Sequence, residues 1–257
     1  MKKIIYTLIL LFNTNILCAK TTTKDIINLE LINITMQQRI LSQKITKAYL
    51  YVENKLVKDT ANRELKQALH EFHQSSKKLA EKVKGAKLKK LTQEIDDVSQ
   101  KLTQISQKPL NKENATKILD LSELILQKSE KLLNLLKTKK SNAIIKSGQQ
   151  RMLSQRIAKY YIAYQAGIKN DGNKNMQESI RLFIHNHKIL MKHNNSPLMK
   201  KKLKDVDKLW KMVNKFYMNV QNEELPRAVF DTTNDISQQM KELTKLYITD
   251  YTKELKQ

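Results

Sequence analysis

Cysteine is nearly missing: Cys18 is the single thiol in 257 residues. One thiol forms no internal disulfide and builds no cysteine metal centre. Proline and glycine are scarce as well, three and four residues in all, so the chain has few of the residues that punctuate helices and shape tight turns. Aromatic residues amount to 6%, thin material for a sheet core built of aromatic and β-branched side chains. Past the N-terminus no stretch approaches the ~18 consecutive apolar residues of a membrane-spanning helix. The short signatures of catalysis are absent too: no HExxH, no GxSxG and no glycine-rich phosphate loop. What remains is rich in Leu, Ile, Lys, Gln and Glu, residues that favour helices. The expected fold is all-α, held by packing alone, and neither an enzyme nor a bound cofactor is expected.

Histidine does not supply a metal site. His70 and His73 lie one helical turn apart with no third ligand in phase. His185 and His187, two apart, fall on different faces. Asp120 and Asp231 sit in separate halves of the chain as repeat mates rather than as an acid–base pair.

The N-terminus has a pattern of its own. Lys2 and Lys3 precede "IIYTLILLF", and the stretch closes on "NILCAK". A basic end, a short apolar core and a small residue make a secretory leader, with cleavage expected after Ala19. Its core is about half of the ~20 residues that cross a bilayer. A lipid anchor on Cys18 is the rival reading, disfavoured by bulky Leu17 where such signals carry a small residue. The mature chain, residues 20–257, is then expected to be a soluble periplasmic protein without a thiol. The formal charge of +23 becomes +21 once Lys2 and Lys3 depart. Such an excess draws in polyanions; export points away from nucleic acid and toward an anionic envelope component.

Hydrophobic spacing predicts the helices. Ile34, Leu41, Ile45, Ala48, Val52 and Leu56 mark a first helix over about 24–58. Leu65 to Val83 mark a second, stopping near Gly85, and Leu88 to Ile105 a third, ending before Pro109. Asn111 caps a fourth, whose stripe runs from Ile118 to Leu136 and resumes at Ile144 with neither Gly nor Pro between. One helix of more than 50 residues is therefore expected, ending near Gly167, with a hinge at Ser141–Asn142 as the alternative. Met176 to Leu190, Leu203 to Val220 and Val229 to Tyr247 mark the rest. Short loops make neighbours antiparallel.

One phrase occurs twice. "QQRILSQKITK" begins at Gln37 and "QQRMLSQRIAK" at Gln149, 112 residues later; Asp120 and Asp231 are 111 apart. The chain reads as two tandem antiparallel four-helix bundles, 20–140 and 141–257, sharing one long central helix. Within the phrase, Arg39, Ser42, Gln43 and Thr46 share a helix face, as do Arg151, Ser154, Gln155 and Ala158. Arginine's fork of donors beside a hydroxyl and an amide can cradle a small anion. It can equally clasp a carboxylate on a facing helix. Gly148, just upstream of the second copy, leaves room for a close neighbour or a ligand; Met36 holds its place in the first.

"GQQRMLSQRIAKYY" resembles the signature of the N-terminal domain of type IV pilus methyl-accepting chemotaxis transducers, the PilJ type. "AVFDTTNDISQQMKELTKLY" resembles that domain's closing helix, and the family is similar in turn to periplasmic domains of nitrate/nitrite sensor kinases. The resemblance implies a periplasmic, helical, ligand-sensing bundle that is often dimeric. In the nitrate sensors a Gly and an Arg three residues on sit in the first helix, and the Arg of each subunit grips the anion at the dimer axis. These match Gly148 and Arg151, with Ser154 and Arg156 farther along; in the first copy Arg39 alone matches, Lys44 standing in place of the second Arg. The two copies can also pair with each other and imitate a dimer within one chain. The output domain of transducers is not expected here. Two readings follow: a sensory module, homodimeric as the resemblance implies, that binds a small anion or polar solute and contacts a membrane receptor, or a non-enzymatic adaptor held by charge to an anionic partner.

Overall fold

The computed structural model describes residues 2–138, 140–168, 172–217 and 225–255, with side chains from residue 24 onward apart from 215 and 216. The side chains of the leader and Val220 lie outside the described residues. Eight helices and no strand are found among those described: α1 Lys2–Tyr51, α2 Lys58–Lys82, α3 Ala86–Ser106, α4 Lys112–Leu136, α5 Asn142–Gln165, α6 Gly172–Met191, α7 Pro197–Tyr217 and α8 Leu225–Glu254. None is long and apolar enough to cross a membrane among the described residues.

The helix ends have local causes. Asn111 caps α4 as expected, its side chain accepting from the Asn114 amide at 2.8 Å. Gly167, at φ +61°, closes α5: its amide reaches the Tyr164 carbonyl and the next amide reaches that of Ala163. This is the left-handed stop that glycine adopts without strain. α1 ends at Tyr51 rather than 58, because the Asn54 carboxamide accepts from the Leu56 amide at 3.1 Å and holds a turn in place of the next helical bond.

The unbroken central helix is not formed. Lys137 is extended, and Thr138 and Ser141 close the turn between them. The Ser141 hydroxyl accepts from the Thr138 amide at 2.9 Å and donates to its carbonyl at 2.9 Å. Ser and Thr side chains thus replace the helical backbone bonds. The chain reverses here, since Arg156 and Lys159 of α5 come back to Glu123 of α4.

The helices fall into two sets of four. α1 packs on α2 and α4, and α3 on α4 and α2; α5 packs on α6 and α8, and α7 on α8 and α6. α1 lies against α5, and the two run parallel, with Met36 beside Gly148 at one level. Each central helix is therefore buried on two sides, by its own bundle and by its counterpart. Residues 152–163 of α5 are buried without interruption, which no amphipathic stripe allows in a lone bundle. The main core runs through both sets. The single chain thus contains the paired arrangement of a dimer.

Gly148 serves this pairing. A Cβ there would stand 1.4 Å from the Met36 Sδ-bound methyl, so the room left by the glycine is occupied by its own repeat mate. Gly148→Met, which places two thioethers in one space, is expected to lower unfolding free energy by about 1–3 kcal/mol. Adding Met36→Gly should restore most of that loss in urea denaturation; a double variant no better than the single one would show that the two positions do not meet.

Candidate functional site

Matching glutamines anchor both halves in the same way. Gln38 Nε2 donates to the Phe72 carbonyl at 3.1 Å, and Gln150 Nε2 to that of Phe183 at 3.1 Å. Gln43 Nε2 donates to the Ser122 carbonyl at 3.1 Å, and Gln155 Nε2 to that of Thr233 at 3.3 Å. Each acceptor lies on the helix of the same rank in its half. Ser42 and Ser154 turn their hydroxyls back onto the carbonyls of Arg39 and Arg151. Thr46 likewise bonds within α1.

The two arginines then diverge. Arg39 is buried and ion-paired to Glu130 of α4, the clasp that the sequence allowed. Arg151, its counterpart, has no hydrogen bond or ion pair among the described residues, and its Nε is buried without a partner. Burial lowers its pKa to about 10, opposed by the charge of Glu71; it remains a cation at neutral pH. The cause of the difference is one residue. The place of Glu130 on α4 is taken on α8 by Lys241, 111 residues on.

Arg151 and Gln155 line a cavity of about 450 Å³ enclosed by α1, α2, α5 and α8. Lys44, Lys241 and Lys245 add cations to its wall, and Glu64, Glu71 and Asp235 add carboxylates. Arg39, Ser42, Gln43, Gly148 and Ser154 are not on that wall. The two copies of the phrase therefore give six residues to the cavity, Gln37, Ile40, Leu41 and Lys44 from the first and Arg151 and Gln155 from the second.

The groove of the same rank in the first pairing, about 460 Å³ between α4, α5 and α6, has its cation neutralised. Arg156 bonds Glu123 through Nε at 3.0 Å and Nη2 at 2.8 Å, and Ser179 through Nη1 at 2.7 Å. Burial pushes the Glu123 carboxyl up, but Lys159 and Arg156 outweigh it and hold it at about 2.

Two lysines missed by the sequence reading tie the halves together. Lys47 and Lys159, the last residues of the two phrases, are fully buried. Lys47 pairs with Glu64 at 2.7 Å and donates to Asn234 of the other half at 2.7 Å. Asn234 in turn donates to Glu64 at 2.6 Å. Lys159 bonds Ser122 at 2.9 Å and Glu123 at 2.6 Å, both in the first half. Glu64 and Asn234 also line the Arg151 cavity. Among the described residues no group of three His, Cys, Asp or Glu side chains can hold a metal.

The described residues thus form paired helical bundles with a half-buried arginine beside a polar cavity. Residues 135–236, from the end of α4 into α8, match the family described as type IV pili methyl-accepting chemotaxis transducer N-term, a family of non-enzymatic sensory domains. The matched segment is under half of the chain; it contains the "GQQRMLSQRIAKYY" stretch and the cavity's Arg151. The first copy of the phrase and residues 237–247 lie outside it. Comparison with curated proteins and with solved structures found no match.

Burial lowers the Lys47 pKa to about 8, with Glu64 opposing, against about 10.4 in an unfolded chain. Between these values the unfolded state binds more protons, so stability must rise with pH through that window. Relative to Lys47→Met, the native chain should gain on the order of 3 kcal/mol from pH 8 to 10. Urea unfolding of both proteins across that range checks it; parallel curves would refute a buried ammonium.

Proposed function

We propose that the chain is an exported sensory module, its leader cleaved near Ala19, that takes a small anion or anionic polar solute into the Arg151 cavity. One observation carries this reading: Arg151 is half-buried beside open space with no bonded carboxylate, where its counterpart Arg39 is clasped by Glu130. An unpaired guanidinium in a partly desolvated wall recovers its lost hydration by binding an anion. Lys241 and Lys245 reinforce the field, while Glu64 is already engaged by Lys47. The cavity draws on α1 and α2 as well as α5 and α8, so one chain builds it without a second copy. The periplasmic setting is that of the matched family in membrane chemoreceptors.

A second reading rests on α7. Leu203, Val206, Trp210 and Val213 are buried, while Lys200, Lys201 and Lys204 face solvent without an ion pair. That basic face offers contact with an acidic envelope component, which capture from envelope extract at low but not high salt would support.

Isothermal titration with nitrate, nitrite and small carboxylates tests the first reading. At least one is expected to bind, and Lys241→Glu, which supplies Arg151 with the carboxylate that Arg39 has, should weaken it by tenfold or more, about 1.4 kcal/mol. Arg151→Ala should remove binding, whereas Arg39→Ala should lower stability and spare affinity. Unchanged affinity in both Arg151→Ala and Lys241→Glu would dismiss the site.

A further inference from the structure

The repeat lets each residue of α6 and α7 report what its counterpart in α2 and α3 leaves unfilled. In the second half Trp210 stacks on Phe183 with ring centroids 4.3 Å apart, and His187 lies parallel to that ring at 6.3 Å. The matching places 111 residues earlier hold Ser99, Phe72 and Ser76. Leu203 and Met191 are matched by Thr92 and Ala80. Four bulky side chains are thus replaced by small ones, three of which, Ser76, Ala80 and Thr92, border one pocket, and Phe72 has no ring partner among the described residues.

The packing records the loss. Leu79, Val83 and Ile95 belong to a small hydrophobic cluster, separate from the main core that holds Phe72, Val98 and Leu102. Near this break a pocket of about 210 Å³ opens between α1, α2 and α3, with Gln38, Ser76, Leu79, Ala80, Thr92 and Ile95 on its wall. Two of its polar atoms are buried and unpartnered, Gln38 Oε1 and Thr92 Oγ1. Gln38 is fully buried and commits its amide hydrogens to the Phe72 carbonyl and the hydroxyls of Ser75 and Ser76. A buried acceptor left without a donor is unfavourable by about 1–3 kcal/mol, and a donor brought by a ligand removes that penalty. Asp96 also borders the pocket, in the place from which Asp207 acts on the buried His187.

We propose that this pocket is a second binding site, for a small planar heteroaromatic molecule bearing an N–H donor. The ligand stands beside Ser76, Ala80 and Thr92, where the second half carries the His187 imidazole, Met191 and Leu203, with Leu79 and Ile95 against its faces and its N–H directed to Gln38 Oε1. An apolar cavity of about 150 Å³ already admits benzene, so this one has room for a fused bicyclic ring.

Indole is the probe. Titrated into the full chain and followed by amide chemical shifts, it should bind saturably with changes confined to α1, α2 and α3. Thr92→Leu and, independently, Ser76→His each install the residue that the second half carries, and each should abolish indole binding in a folded chain. Benzofuran, alike in shape but without the N–H, should bind about tenfold more weakly, the loss of one hydrogen bond. Arg151→Ala should leave indole affinity unchanged, which separates this site from the anion cavity. No saturable shift with indole, equal affinity for benzofuran, or binding retained in both filled variants would overturn the proposal.

Discussion

Lys47 and Lys159 each bring a whole ammonium group into the seam between the two halves, and the rest of the structure is arranged around that burden. Removing such a charge from water carries a penalty of several kcal/mol unless hydrogen-bonding partners surround it. The partners come from several helices at once. Lys47 of α1 is held by Glu64 of α2 and Asn234 of α8, and Lys159 of α5 by Glu123 and Ser122 of α4. A slide of α1 along α5 would strand both charges. The lysines therefore fix the register of the central pair, and that register sets Arg151 opposite α2 and α8.

The framework is symmetric and its contents are not. Glutamines at matching places bind matching carbonyls in both halves, which makes each bundle a copy of the other. The cavities arise at the departures. Met36 fills the space that Gly148 leaves. Arg39 has Glu130, whereas Arg151 faces Lys241. The aromatic stack of Phe183 and Trp210 has only Phe72 and Ser99 as its counterpart. Each departure either fills a space in one half or opens one in the other, so the Arg151 cavity and a smaller pocket arise from one repeated plan.

Much of the fold was legible because helical periodicity is a local property. The stripes placed every described helix but read α4 and α5 as one, and Asn111 and Gly167 mark the helix ends expected of them. The break between α4 and α5 was expected only as the alternative to a continuous helix, because it is made by Thr138 and Ser141. Their hydroxyls compete with the helix only once the chain turns, and no Gly or Pro announces them. α1 ended early at Asn54 for a similar reason. Of the cavity wall, the repeated phrase singled out Arg151 and Gln155. Lys47 and Lys159 stood at the end of the same phrase and were passed over, since lysine in a helix ordinarily faces water. Glu64, Glu71 and Lys241 carried no local signal at all.

Composition and spacing by themselves determined that this chain is helical, repeated and free of structural disulfides, because each of these depends on neighbours a few residues apart or on a simple count. Tertiary structure alone decided which of two nearly identical arginines is spent and which is free. That choice depends on the charge presented by a helix about 90 residues away, and on a reversal at residues 137–141 that lays α5 along α1. Distance in space, and not along the chain, governs both the screening of a charge and the space beside it.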